Sequence, residues 1–410
     1  MFKLCRSSKY INKTWRSPLR YVSTKTPFDI DESDDKYKDF NTMYSEMFTP
    51  PDERTTTRKD HLSDVSGTSE SDDLNKDLQD LFQVDHTPLS GSELQDRVKS
   101  TGRFVIRSLS HNPYYNLALE DYLFRNAPVS KEVTNKIYPN HRLLFYINNK
   151  CAVIGKNQII WQELYLPELK RQGYEVLRRL SGGGTVIHDL GNVNYSFITS
   201  RNEFHSNFFN ELVVKWLLSY DNTLPVTMNK RSDILYDDKK CSGSAFKIAQ
   251  GKAYHHGTML VKSQLSKFHG LLKPKDIPGI HWDSASVDSV RSNISNIPLP
   301  STDEFINICS DGFQNDFRGG NTSEIPIYYC DETNSVNDEI VTTMNTLNSD
   351  KWRYFSGPKF KVEFKEKNIS ISCEKGVITD SSIAGLIGKD FKTTLEDKDF
   401  FSNKIYNKQF

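Results

Sequence analysis

The sequence predicts an α+β fold, with helices enclosing a mixed, largely antiparallel sheet and a smaller α+β unit following it. Between residues 233 and 261 strand-like runs are broken by the turn-forming pairs Asp237-Asp238 and Gln250-Gly251, the short connections of antiparallel neighbours. Val193, Tyr195 and Phe197 alternate with Asn194 and Ser196, the two-residue period of a half-exposed strand. Residues 208–220 instead place Phe209, Val213, Trp216 and Leu217 on one side of a helix. Helices and strands do not alternate as a doubly wound sheet requires.

The chain opens with seven basic residues and no acidic one among residues 1–28, with serines and threonines between them, the composition of a mitochondrial transit peptide. Residues 29–100 reverse the charge and hold few apolar runs. They read as a disordered acidic linker that buries too little surface to offset the entropy of ordering. From 101 to 335 the sequence predicts one large domain. Asn112 and Pro113 are an N-cap and first-turn proline, followed by Tyr115, Ala118, Leu119, Tyr122 and Leu123 on one helical face. Residues 143–147 and 152–154, joined by Asn148, Asn149 and Lys150, suggest a hairpin. A brief helix at 167–172, stopped by Gly173, leads into a strand at 174–179. Residues 298–337 are rich in turn formers and read as an irregular connection. A small accessory domain is expected over 336–410, with a helical start, strands around 360–364 and 369–371, and a last helical piece beginning near Ser382.

With 53 basic and 53 acidic residues the chain has no net charge, which gives no support to a nucleic-acid partner. No apolar run approaches the roughly 20 residues a membrane helix needs. Six cysteines are scattered without metal-ligand spacing, so neither a zinc site nor a disulfide framework is indicated. Cys241 reads as an apolar strand residue.

Chemistry concentrates in RRLSGGGTVIHDLGNVNYSF, residues 178–197. Gly182, Gly183 and Gly184 bring bare backbone beside Arg178 and Arg179, an arrangement suited to an anion because successive N–H groups can point into one concavity. KKCSGSAFK (239–247) and AYHHGTMLV (253–261) follow. His255 and His256 are adjacent on a strand, so at most one of them faces a pocket. His188 is a conceivable general base, although the turn 189–192 points to a loop-ordering role.

These three segments, with NPYYNLALEDYLF (112–124), AVIGKNQIIWQE (152–163), RSDILY (231–236) and SVRSNISNI (289–297), closely resemble the lipoate-protein ligase A family, a branch of the biotin/lipoate-protein ligase fold. The resemblance covers roughly half the chain, in order. It implies activation of lipoate or octanoate by ATP to an acyl-adenylate, then transfer to a lysine of lipoyl domains on 2-oxoacid dehydrogenase E2 subunits and of the glycine-cleavage H protein. It makes Lys240 the essential lysine, contacting the acyl carboxyl and the α-phosphate. It assigns Arg179, Gly184, Thr185, Val186, Ile187 and Lys240 to ATP, and Lys240, Gly182, Gly183 and His256 to lipoate. Tyr195, Phe246 and the glycine-lined floor are candidate walls of an apolar slot for the dithiolane and its alkyl chain. Mg²⁺ is implied with the triphosphate, yet no carboxylate cluster identifies ligands, and no metal site is assigned. A matrix location fits the leader, and a monomer is the simpler expectation. Two alternatives stand beside this reading: a lipoyltransferase fed by lipoyl-adenylate, acyl-CoA or lipoylated H protein, and a non-catalytic lipoyl-domain-binding protein.

Overall fold

The computed structural model describes residues 86–129, 138–318 and 323–396. The expected leader and most of the expected linker lie outside the described residues. Where the linker is described, it is ordered: α1 (Gly91–Lys99) is closed by a capping box in which Ser90 accepts from the Glu93 N–H and Glu93 accepts from the Ser90 N–H. Leu94 and Val98, one helical turn apart, are fully buried against the core. The expected boundary at residue 100 was therefore too late, because two apolar side chains in a polar helix leave little compositional trace.

Next come β1 (Phe104–Ser108) and α2 (Pro113–Asn126), the latter capped by the Asn112 side chain as expected. β2 (Arg142–Ile147) and β3 (Cys151–Ile154) do not form the expected hairpin. β2 lies between β1 and β6, whereas β3 joins β4 and β5 in a separate sheet, so residues 148–150 carry the chain from one sheet to another. The helices α3 (Ile160–Glu163) and α4 (Leu166–Arg171) precede β4 (Glu175–Arg178), β5 (Val186–His188) and β6 (Asn192–Ser200). After α5 (Phe208–Tyr220) follow β7 (Val226–Met228), β8 (Ile234–Tyr236), β9 (Lys239–Ala249) and β10 (Lys252–Leu260). Asp237, Asp238, Gln250 and Gly251 all have positive φ, as the predicted tight turns demand.

The chain continues with β11 (Ile280–Ser284), α6 (Thr302–Phe317) and β12 (Ile327–Cys330). It ends in α7 (Asp338–Asn348), α8 (Asp350–Arg353), β13 (Phe360–Phe364), β14 (Ile369–Glu374), β15 (Val377–Ser381) and α9 (Phe391–Glu396). The main sheet has the order β12-β1-β2-β6-β10-β9-β8-β7. Only the β12-β1 and β1-β2 pairs are parallel. The fold is thus the mixed, largely antiparallel α+β arrangement the sequence predicts.

Three further expectations are corrected. β6 is buried on both faces, not half-exposed: Val193, Tyr195 and Phe197 pack into the core under α5 and α6, while Asn194 and Ser196 are buried on the opposite side. The stretch 298–337 contains α6, where Phe305, Cys309, Phe313 and Phe317 recur every fourth residue and enter that same core. Its intervening Asn, Ser, Asp and Gly residues hid this stripe. The late helix is α9, because Gly385 and Gly388 at positive φ keep the segment after Ser382 in turns. The small sheet β11-β13-β14-β15 draws its edge strand from 280–284, and α7 contributes Ile340 and Leu347 to the core around α2. Contacts therefore cross the expected boundary at 335.

β10 and β6 approach closely at one point. A methyl group on Gly257 would lie 2.4 Å from Tyr195, whose ring is fully buried and whose hydroxyl is held by Asn210 and Ser242. Gly257→Ala is expected to cost about 1–3 kcal/mol through overpacking, measured as a shift in urea midpoint without a change in slope.

Candidate active site

Strand register builds the site. Gly243 of β9, Thr258 of β10, Asn194 of β6 and Tyr146 of β2 are successive partners across four neighbouring strands. All four line a cavity of about 230 Å³ whose remaining wall includes Leu117, Val153, His188 and the glycine loop. Three interstrand steps make this row roughly 14 Å long. A second cavity of about 720 Å³ adjoins it and shares Thr185, Val186, Lys240, Gly243, Thr258 and Val290.

Lys240 stands where the two meet. Its backbone is anchored on both sides by the 289–297 segment, with its N–H donating to Asn293 O at 2.9 Å and its carbonyl accepting from Ser295 N at 3.0 Å. Its Nζ lies 2.7 Å from Asp233 Oδ1, a carboxylate that is only 7% exposed. The ammonium also lies 3.2 Å from where a Cβ on Gly243 would stand, so the absence of a side chain there gives the lysine its path along the cavity floor. Sequence reasoning missed Asp233, although it falls inside the 231–236 motif.

The glycine loop is held from within by Arg179. This buried guanidinium donates to Gly182 O at 2.6 Å, Gly184 O at 2.8 Å, Val153 O at 3.1 Å and Ser181 Oγ at 3.0 Å. Its hydrogen-bond partners are carbonyl and hydroxyl oxygens, not a carboxylate, so a positive charge stays beside the small cavity. Burial brings its pKa down to about 10, still protonated at neutral pH. Gly183 adopts φ +90°, and a Cβ there would meet Arg179 Nη2 at 2.8 Å, so this position requires glycine on two counts. Arg178, expected to share the anion site, faces away and ties the carbonyls of Gly155, Lys156 and Gln158 to those of Trp352 and Arg353.

Gln158 and Ser289 brace the loop from outside. Ser289 Oγ accepts from Thr185 N at 2.8 Å and from Gln158 Nε2 at 3.0 Å, and Gln158 Oε1 accepts from the Thr185 hydroxyl at 3.0 Å. Both lie in the 152–163 and 289–297 segments that carry the family resemblance, which by itself assigns their side chains no role.

Of the expected site residues, Arg179, Gly183, Gly184, Thr185, Val186, Lys240 and His256 line the small cavity, and Thr185, Val186, Ile187 and Lys240 line the larger one. Gly182 lines neither and serves as an acceptor for Arg179. Tyr195 and Phe246 are not walls of the slot: Tyr195 points into the opposite core, and Phe246 packs edge-on against His255. His256 faces the cavity, linked to the buried Glu120 at 3.0 Å and to Ser181 Oγ at 3.0 Å, while His255 faces the other way toward Ser244. Cys241 is a buried thiol pushed up to about 12 by desolvation, in keeping with a packing role.

The larger cavity is lined by the cations Lys240 and Arg291 and by the buried Lys273, with apolar walls from Ile187, Leu260 and Phe268, and no carboxylate among the described residues that line it. Burial pushes Lys273 down to about 7, with its Nζ donating to Trp161 O at 2.7 Å. Among the described residues no three His, Cys, Asp or Glu side chains converge as a metal site.

Two rings make stability depend on pH. Burial holds His188 and His255 down to about 3, reinforced by Arg179 and His256 at His188 and by His256 at His255. The unfolded chain protonates them near pH 6.5, so between about 6.5 and 3 the unfolded state binds more protons. Their contribution is complete above pH 6.5 and falls on acidification by about 1.4 kcal/mol per pH unit for each ring. Melting temperature should fall from pH 7 to 5, and a foldable variant lacking either imidazole should show a shallower decline.

An ammonium stands between a narrow polar-rimmed slot and a larger chamber with basic lining, an arrangement suited to anionic groups. The family described as "Lipoyl protein ligase A/B catalytic domain" matches residues 112–314. A Saccharomyces cerevisiae protein assigned to lipoate-protein ligase A is 49% identical over 380 residues, covering 90% of this chain and 91% of its own. The Bacillus subtilis lipoate-protein ligase LplJ is 30% identical over 297 residues, covering 69% and 84%. The crystal structure of Plasmodium falciparum LipL1 in complex with lipoate aligns with a TM-score of 0.52 at 25% identity, over 74% of this chain and 95% of that one. The chain belongs to the lipoate-protein ligase A family.

Proposed function

We propose that the protein activates lipoate, or octanoate, with ATP as its magnesium salt and passes the acyl group to a lysine of lipoyl domains on E2 subunits and the glycine-cleavage H protein in the mitochondrial matrix. The observation that carries this reading is Lys240 at the junction of the two cavities. The row from Gly243 to Tyr146, roughly 14 Å long, suits an extended eight-carbon chain with its carboxyl end toward Lys240. The larger chamber, cationic and apolar at once, suits a nucleotide.

In the first step a carboxylate oxygen attacks the α-phosphorus, the bond to pyrophosphate breaks, and a mixed anhydride forms. Lys240 exchanges Asp233 for the two reacting anions and offsets their repulsion as charge accumulates. In the second step the unprotonated ε-amine of the acceptor attacks the carbonyl, the same ammonium stabilises the tetrahedral oxyanion, and an amide bond forms as the bond to AMP breaks and the nitrogen releases a proton to solvent. The basic leader supports the matrix assignment by composition.

The test is a gel-shift assay with purified protein and an apo-lipoyl domain, comparing lipoate plus ATP with preformed lipoyl-adenylate, lipoyl-CoA and lipoylated H protein. Modification with lipoate and ATP, accompanied by pyrophosphate release, is the expected result. Modification only from a preformed donor identifies a transferase and overturns the activation step. No modification from any donor overturns the enzymatic reading.

A further inference from the structure

Lys240 has a counter-charge that the activation step does not explain. In that step the lysine faces two anions, and a carboxylate beside it only adds a third. Asp233 is nonetheless built into the cavity wall: it is 7% exposed, its Oδ1 lies 2.7 Å from Lys240 Nζ, and its Oδ2 accepts from Asn229 Nδ2 at 3.2 Å. The turn that presents it is held from several sides. Asn229 Oδ1 accepts from the Arg231 and Asp233 N–H groups at 2.8 and 3.0 Å, and Ser232 takes the left-handed conformation at φ 62°, uncommon for a residue with a Cβ. Asn210, itself fully buried, donates to the Ser232 carbonyl at 2.6 Å and fixes the turn against the core. Backbone strain pinned in this way beside a cavity points to a functional demand on the carboxylate's position.

The transfer step supplies that demand. An unprotonated amine adding to the acyl carbonyl gives a tetrahedral intermediate with a negative oxygen and a positive nitrogen on one carbon. Lys240 meets the oxygen. The nitrogen, whose N–H bonds become strongly acidic as the N–C bond forms, needs an acceptor within hydrogen-bond reach. Once Lys240 has turned to the acyl oxygen, Asp233 is a nearly buried carboxylate without its cation, next to that carbon. The other bases on this wall are occupied or out of place. Both His256 ring nitrogens are engaged, with Glu120 at 3.0 Å and Ser181 Oγ at 3.0 Å. His188 Nδ1 meets Asn148 Nδ2 at 3.0 Å, its Nε2 is shut in the interior, and burial brings the ring down to about 3, so the general-base role conceivable from the sequence does not fit. Asp288 is 40% exposed and turned to Lys275 and Gln162.

We infer that Asp233 is the proton acceptor of the transfer step: it hydrogen-bonds the acceptor's ε-amine, aims the nitrogen lone pair at the acyl carbonyl, and takes a proton from the nitrogen as the N–C bond forms. The C–O bond to the phosphate then breaks, its electron pair leaves with AMP, and Asp233 hands the proton on to solvent. The resting Lys240–Asp233 pair thus matches the charges of the intermediate, cation to oxyanion and carboxylate to nitrogen. The inference rests on the acyl-transfer half of the proposed function and is independent of how the adenylate is made.

The experiment compares the full chain with its Asp233→Asn and Asp233→Glu variants in two measurements: ATP–pyrophosphate exchange with lipoate, and single-turnover transfer from synthetic lipoyl-adenylate to an apo-lipoyl domain. Asparagine keeps the shape and an acceptor oxygen for Lys240 but is not a base. Asp233→Asn should slow transfer by about 100-fold or more, against less than about ten-fold for exchange, and Asp233→Glu should recover part of the transfer rate. A carboxylate that merely positions Lys240 would slow both steps in the same proportion, and that outcome overturns the inference, as does transfer within about three-fold of wild type. A crystal structure of the wild-type chain with lipoyl-sulfamoyl adenosine and an apo-lipoyl domain needs no variant to fold. The acceptor Nζ within hydrogen-bonding distance of Asp233 supports the inference, and an Nζ placed elsewhere overturns it. Wild type that modifies the domain from no donor, lipoyl-adenylate included, sinks the acyl-transfer reading itself, whereas normal wild-type transfer with an indifferent Asp233→Asn sinks the inference alone.

Discussion

Lys240→Ala is expected to lower the rate of acyl-adenylate formation by about 100- to 1000-fold, the usual loss when a preorganised donor to developing charge is removed. The side chain is 23% exposed and reaches into a cavity, so its removal leaves the core intact. Asp233 loses its ammonium but keeps the Asn229 amide at 3.2 Å, which limits the cost in stability to about 1–3 kcal/mol. ATP–pyrophosphate exchange reads the first step and transfer from synthetic lipoyl-adenylate reads the second. Both should fail together, because one cation serves both. Arginine should not restore activity, since a planar fork replaces a compact charge at a spot where the lysine tip lies against Gly243. Wild-type exchange in Lys240→Ala would contradict the assignment.

Arg179→Met is expected to be the more damaging change for the fold of the site. The methionine fills similar space but supplies no donors, leaving Gly182 O, Gly184 O, Val153 O and Ser181 Oγ without the guanidinium. At about 1 kcal/mol for each bond lost, the variant should be about 2–4 kcal/mol less stable. Its affinity for the acid should fall because the loop that closes the slot is released. The family resemblance points instead to contact with nucleotide phosphates, and the two roles separate cleanly. A phosphate ligand would raise KM for ATP with little change in melting temperature, whereas a loop clamp changes melting temperature and acid binding first.

Much of this site is legible from local chemistry. Three glycines after an arginine announce a bare loop, the adjacent histidines on one strand must face apart, and the Asp237-Asp238 turn places Lys240 at the start of a hairpin strand. What stays hidden depends on distant pairing. Asp233 is an ordinary acidic residue until the β8-β9 register sets it beside Lys240. Gln158 and Ser289 are 131 residues apart and acquire a role only because both reach Thr185. Aromatic rings suit apolar slots, which makes Tyr195 a candidate pocket wall in the sequence, but alternation along β6 assigns that face to the core and gives the cavity to Asn194. α6 was hidden by residues that favour turns when considered singly and are tolerated in a helix whose phenylalanine stripe is well buried.

The most direct measurement is a crystal structure with a non-hydrolysable lipoyl-sulfamoyl adenosine. The account predicts the acyl chain along the Gly243–Thr258–Asn194–Tyr146 row, adenosine in the larger cavity, and Lys240 Nζ moved from Asp233 to hydrogen-bonding distance of the sulfamate. An analogue bound elsewhere, or Lys240 still paired with Asp233 while the analogue fills the cleft, would contradict it.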